Sequence, residues 1–383
     1  MALHFEASEF EERKARLLAE MKDARLDAML LFAQESMYWL TGYDTFGFCF
    51  FQCMIVEANG EIALLTRSAD LRQARHTSNV ETIVIWEDRA GANPARDLKE
   101  LLSDRDLLGK RIGIEYETHG LTAANGRRVD TALSTFAELE DASAIVPRLR
   151  SIKSPAEIAC ARKAAELADD ALDAAIPLIR AGTDESRILA AMQGAILEGG
   201  GDYAGNEFII GSGEDALLCR YKSGRRTLGK NDQLTLEWAG AYRRYHAAMM
   251  RTVLTGKPSS RHLELYEAAK AALAACETVM RPGYTFGDVF DAHARAMAEA
   301  DLTRHRLNAC GYSLGAHFTP CWMDMPMFHA GNEEPVEPNM TLFAHMIIAD
   351  SDSGTAMTLG QTYLTTDGEP ECLSRHGLDL IVG

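Results

Sequence analysis

Leu234-Thr-Leu-Glu-Trp-Ala-Gly-Ala-Tyr-Arg-Arg-Tyr-His-Ala-Ala-Met-Met-Arg-Thr-Val-Leu-Thr-Gly256 reads as two strands of a hairpin turning near Gly240. Alternate side chains of a strand point to opposite faces. Thr235, Glu237 and Ala239 therefore share one face of the first strand, and His246, Ala248 and Met250 share one face of the second. Glu237 stands among apolar neighbours on a strand that ought to be buried. A carboxylate there is costly without a partner. Two readings follow: a structural ion pair with an arginine such as Arg251, or an acid kept for chemistry.

Outward from the hairpin, four helices are expected. The first opens at Ser154-Pro155-Ala156-Glu157, a capping serine with proline at the first helical position and glutamate at the third. It should run from Pro155 to about 180 and stop at Gly182. The others are expected over about 184–197, 261–280 and 286–300, with strands over 206–212, 233–240, 242–255, 340–349 and 356–366. Before the basic linker at 148–153, helical and strand-like pieces alternate. They include a helix over 8–24, a strand at Asp27–Phe32, and a strand pair over 48–56 and 61–66 joined at Asn59-Gly60. The expected class is α+β, with an α/β domain over 1–150 and a domain of helices and antiparallel sheet over 151–383.

The 383 residues, 47% hydrophobic and 25% charged, suit a soluble globular chain of two domains. A net charge of −17 argues against nucleic acid or an anionic membrane as partner. The first 22 residues lack the pattern of a secretory signal, and no segment is long and apolar enough to span a bilayer. The eight cysteines show no CxxC pair. The expected location is the cytoplasm, with the cysteines as free thiols.

Several short motifs occur in one register: Trp39-Leu-Thr-Gly42, the capped helix after Lys153, the hairpin ending at Arg251-Thr252, Gly311-Tyr-Ser-Leu-Gly315, Glu337-Pro-Asn-Met340 and Asp367-Gly368. Together they resemble creatinase, prolidase and aminopeptidase P over nearly the whole chain. The resemblance implies an N-terminal creatinase-like α/β domain, a C-terminal pita-bread domain and a homodimer. Metallopeptidases of this family hold two metal ions with Asp, Asp, His, Glu and Glu. The corresponding positions here carry Glu237, Ala248, Tyr312, His345 and Gly360, so only Glu237 and His345 could still bind a metal well. The expectation is an enzyme with no metal and no cofactor. Creatinase also lacks the metal pair, and ectoine hydrolases are similar in the hairpin and in the Gly-Tyr-x-x-Gly motif.

On this reading Glu237 attacks an electrophilic carbon or acts as general base on water. His246 or His345 shuttles the proton, and Tyr312 stabilises developing charge. Arg220 falls where the family places a substrate-contacting histidine, and it suits a carboxylate. His317 and Trp322 line the pocket. Phe48 and Phe50 fall in the region that in creatinase reaches the partner subunit's active site. The substrate class is a small zwitterion with a non-peptide C–N bond, ectoine or creatine being the models. The alternatives are a metal-dependent Xaa-Pro dipeptidase and an inactive pita-bread binding module.

Overall fold

The computed structural model describes residues 3–220 and 225–383. The chain divides into two compact units, Met1–Arg150 and Ser151–Gly383.

In the first unit the elements run α1 (Ala7–Asp23), β1 (Ala28–Leu31), α2 (Gln34–Thr41), β2 (Cys53–Glu57), β3 (Ile62–Arg67), α3 (Leu71–Thr77), β4 (Thr82–Trp86), α4 (Pro94–Asp104), β5 (Arg111–Ile114), α5 (Ala123–Leu133), β6 (Glu138–Asp141) and α6 (Ile145–Ser151). The strands form a six-stranded mixed sheet in the order β4-β3-β2-β1-β5-β6. Both of its faces are covered. Leu30, Ile55, Leu65 and Ile112 pack toward α4 and α5, while Met29, Met54 and Leu64 pack toward α1 and α2. A sheet buried on both sides explains why β1 and β2 read as continuous apolar runs. The expected strand over 48–56 starts later, at Cys53, because Gly47–Cys49 forms a 3-10 turn.

The second unit continues with α7 (Pro155–Ala175), α8 (Glu185–Glu198), β7 (Ile209–Ser212), β8 (Asp232–Tyr242), β9 (Tyr245–Thr255), α9 (Ser260–Val279), α10 (Phe286–Glu299), β10 (Ala309–Ser313), β11 (Asp324–His329), β12 (Thr341–Asp350), β13 (Thr355–Leu364) and β14 (Glu371–Cys372). Among the described residues its antiparallel sheet has the order β11-β10-β12-β13-β9-β8-β7, with β14 on β13. The capping box at Ser154 and Glu157 forms as its sequence requires. Two cores join helices to the sheet. One joins α7 and α8 to Leu234, Leu236, Trp238, Met250 and Phe343. The other joins α9 and α10 to Leu342, Ala344, Met346 and Leu359.

The central hairpin does not turn at Gly240. Its two-residue turn is Arg243-Arg244, both with positive φ (49° and 68°), flanked by the pair Tyr242 and Tyr245. Positive φ at both central positions gives the twist that suits a tight hairpin. Gly240 instead lies within β8, where a Cβ would stand 2.0 Å from the Ala164 carbonyl oxygen of α7. The glycine marks a close approach of helix and strand.

Candidate active site

Register across the sheet assembles the site. Glu237 on β8 pairs with Ile209 on one side and Met250 on the other, Met250 pairs with Gly360, and Gly360 with His345. On the next strand Tyr312 pairs with Phe343, two residues from His345 and on its face. One sheet face therefore carries Glu237, Tyr312 and His345, although 75 residues separate the first two in the chain and 33 the last two.

Their contacts are specific. The Tyr312 hydroxyl donates to Glu237 Oε1 at 3.4 Å, a long hydrogen bond. The indole N–H of Trp322 donates to the Tyr312 oxygen at 2.9 Å. Because indole nitrogen can only donate, the tyrosine proton is left to point elsewhere, toward Glu237. The Tyr312 and His345 rings lie 5.6 Å apart. Glu237 is 8% exposed, and burial pushes its carboxyl up to about 7, against the smaller opposing pull of the Arg220 charge and the Tyr312 hydrogen bond. Burial also drives the Tyr312 phenol well above its usual value.

The two histidines expected to shuttle protons are placed differently from each other. His246 lies on the same face as Glu237 but opposite Ala241, four residues and roughly 13 Å along the strand. Its Nε2 accepts from the Gly205 N–H at 2.8 Å, and its Nδ1 faces the Gly315 carbonyl at 3.4 Å. Both nitrogens serve the backbone, and burial lowers its pKa to about 3. Its geometry is that of a neutral structural histidine holding the 202–208 loop, which corrects the expectation of a proton shuttle. His345 sits beside Tyr312, 7% exposed, with no hydrogen-bond partner at Nδ1. Burial lowers its pKa to about 3 as well, so at neutral pH it can offer only a neutral imidazole.

Arg251 is not the partner of Glu237. It lies on the opposite face of β9, 1% exposed, and donates to the carbonyls of Met250 and Gly360 at 2.8 and 2.7 Å. An ion pair between Glu237 and Arg251 is excluded by this geometry.

The substrate-binding expectations divide similarly. Arg220 is exposed and lines a cavity of about 650 Å³ with Ile196, Leu197, Phe208, Ile209 and Cys321. Trp322 is 1% exposed and does not line that cavity; it acts on Tyr312 from behind. His317 stands beside Asp324, with 3.8 Å between Nε2 and Oδ1, and is also absent from the cavity wall. Phe48 is buried in the N-terminal unit, whereas Phe50 is 49% exposed with the Arg67 guanidinium 3.9 Å over its ring.

Comparison with known families identifies the scaffold. The model of metallopeptidase family M24 matches residues 159–367, and that of the creatinase/prolidase N-terminal domain matches residues 13–152. This chain belongs to the M24 family. Its relatives include the ectoine hydrolase of Halomonas elongata, 27% identical over 402 residues that cover 100% of this chain and 99% of that protein. An uncharacterised hydrolase/peptidase of Sinorhizobium fredii is 26% identical, with 99% of each chain covered. The prolidase of Thermococcus sibiricus has the same two-domain pita-bread fold, with a TM-score of 0.87 at 19% identity over 98% of this chain and 99% of that one.

The residues at the family's metal positions do not fit a pair of metal ions. Ala248 has no donor, and Tyr312 is engaged with Trp322 and Glu237. At Gly360 a Cβ would lie 2.8 Å from the Phe343 ring, so an aromatic side chain fills the space a ligand at that position would need. Among the described residues, the one group of three ligand side chains within mutual reach is His305, Asp350 and Asp352. Asp350 lies at the far end of β12 from the site, five residues from His345, and is paired with Arg261 at 2.7 Å.

Proposed function

We propose that this chain is a hydrolase that breaks a C–N bond of amide or amidine type in a small carboxylate-bearing molecule, with side chains in place of the metal pair. The observation that carries the reading is Glu237, a buried carboxyl poised near neutrality, touching a tyrosine where the family holds metal. In its ionised form Glu237 takes a proton from the attacking water. The water oxygen bonds to the electrophilic carbon, and Tyr312 donates a hydrogen bond to the oxygen or nitrogen on which charge develops. The proton held on Glu237 then passes to the leaving nitrogen as the C–N bond breaks. Trp322 keeps the Tyr312 proton directed into the site. The unpartnered Nδ1 of His345 offers the substrate a further polar contact.

The relative named ectoine hydrolase makes ectoine the first compound to try. We also place the enzyme in the cytoplasm as a homodimer, with the exposed Phe46 and Phe50 of one subunit near the partner's site. Among the described residues no helix is long and apolar enough to cross a membrane.

The test is hydrolysis of ectoine and of a Xaa-Pro dipeptide by purified enzyme, after exhaustive chelation and with manganese restored. Chelator-resistant ectoine hydrolysis, lost in Glu237→Gln, supports side-chain catalysis. Dipeptide cleavage dependent on manganese would overturn it in favour of a dipeptidase. Ligand stabilisation with no turnover of any compound would instead favour a binding module.

A further inference from the structure

The cavity beside Glu237 has more to say about the substrate than the catalytic groups do. Ile209, in its wall, is the direct cross-strand neighbour of Glu237. Arg220, also in the wall, lies close enough to Glu237 for their charges to act on one another. The wall thus includes the direct neighbour of Glu237, although Glu237, Tyr312 and His345 do not themselves line it. At that end it presents a guanidinium. Beyond it Ile196 and Leu197 from the last turn of α8, with Phe208 just before β7, form an apolar stretch, and Gln193, Asp202, Asn206 and Glu207 supply the polar part of the wall. Leu197 is 43% exposed, an apolar surface uncovered in the chain by itself. At about 650 Å³ the space is well beyond the needs of a compact zwitterion and suits an extended ligand.

We propose that the substrate is an N-acyl amino acid with an apolar acyl group. This rests on the side-chain hydrolase reading above. In such a molecule the carboxylate stands two bonds from the amide nitrogen, which matches a cation and a catalytic carboxyl that sense each other's charge. The acyl chain then runs along Ile196, Leu197 and Phe208. The reaction consumes one water: the amide C–N bond breaks, a C–O bond forms, and the products are a fatty or aryl carboxylate and a free amino acid whose nitrogen gains the proton.

Binding and turnover are separable here. Calorimetric titration of full-length Glu237→Gln with N-acetyl-, N-butanoyl- and N-hexanoylglycine reads the cavity without hydrolysis. Each added methylene should lower Kd by about fourfold. Leu197→Asp should flatten that dependence, and Arg220→Gln should weaken every member by a similar factor, roughly tenfold or more. A Kd independent of chain length, or indifferent to Arg220→Gln, overturns the inference, whatever the enzyme does to ectoine. If affinity climbs with chain length but the native enzyme cleaves none of the series, the substrate assignment is overturned, while the hydrolase reading still stands or falls on ectoine.

Discussion

Two buried carboxyls, one in each unit, share a shifted pKa and differ in everything around it. Glu115, just past β5 in the N-terminal unit, accepts hydrogen bonds from the Phe32 and Ala33 N–H groups at 2.9 Å each and from the Ser36 hydroxyl at 2.5 Å. Glu237, in the C-terminal unit, has the long contact from Tyr312. Burial pushes both up to about 7. Glu115 sits at the start of α2 and satisfies donors that would otherwise be stranded at the helix entrance. Its oxygens are occupied by the fold. Those of Glu237 are nearly unengaged, and its cross-strand neighbour Ile209 lines a cavity that also holds Arg220. A shifted pKa therefore does not separate a structural acid from a working one; the unmet hydrogen-bonding capacity does.

The sharpest break in the comparison is activity. Glu237→Gln should lower kcat by roughly 10³-fold, while Glu115→Gln, if it folds, should keep most of it. Equal losses in steady-state assays would end the distinction. Tyr312→Phe comes next, with kcat falling on the order of 10²-fold and KM nearly unchanged if the hydroxyl serves mainly the transition state. The pH profile follows. Glu237 must be ionised to act as base, so kcat/KM should fall about tenfold per pH unit below about 7. Neither His246 nor His345, lowered to about 3, should add a second limb near neutrality.

Stability should separate the two acids more gently. A carboxyl whose pKa is raised in the folded state favours folding while protonated, and that contribution is lost as pH rises through its folded value. Replacing Glu237 by Gln should then stabilise the protein at pH 8 by up to about 3 kcal/mol and give no such gain at pH 4. Glu115→Ala should destabilise by about 3 kcal/mol or more, because three buried donors lose their acceptor. Calorimetric melts at the two pH values read both. The smallest effect expected is that of His246→Asn, about 1–2 kcal/mol of stability from the stranded Gly205 N–H. Its loosened 202–208 loop should raise KM more than it lowers kcat.

The start of α7 was legible because the capping box at Ser154 announced it. The loss of ligand atoms at Ala248 and Gly360 was equally plain from the motifs. The turn of the central hairpin was not, because Gly240 reports a neighbour, α7, rather than a local bend. The strands β10 and β11 also escaped a reading by hydrophobic pattern; Gly311 interrupts the first, with a φ of 153°, and the second carries Pro326 at the sheet edge. Trp322 was read as a pocket wall because an aromatic near a predicted cavity has no preferred direction in sequence. Its indole turned inward to Tyr312.

By itself the sequence determined the two-domain family scaffold, the presence of an acid at Glu237 and the absence of any side-chain donor at Ala248 and Gly360, since these depend on residue identity and spacing. The tertiary structure alone decided that Phe343 fills the space beside Gly360, that Arg251 faces away from Glu237, and that His246 serves the backbone while His345 is left with an unpaired nitrogen. Each of these rests on which distant strand lies alongside and how fully water is excluded there. Desolvation and hydrogen-bond partnership belong to that surrounding and not to the residue.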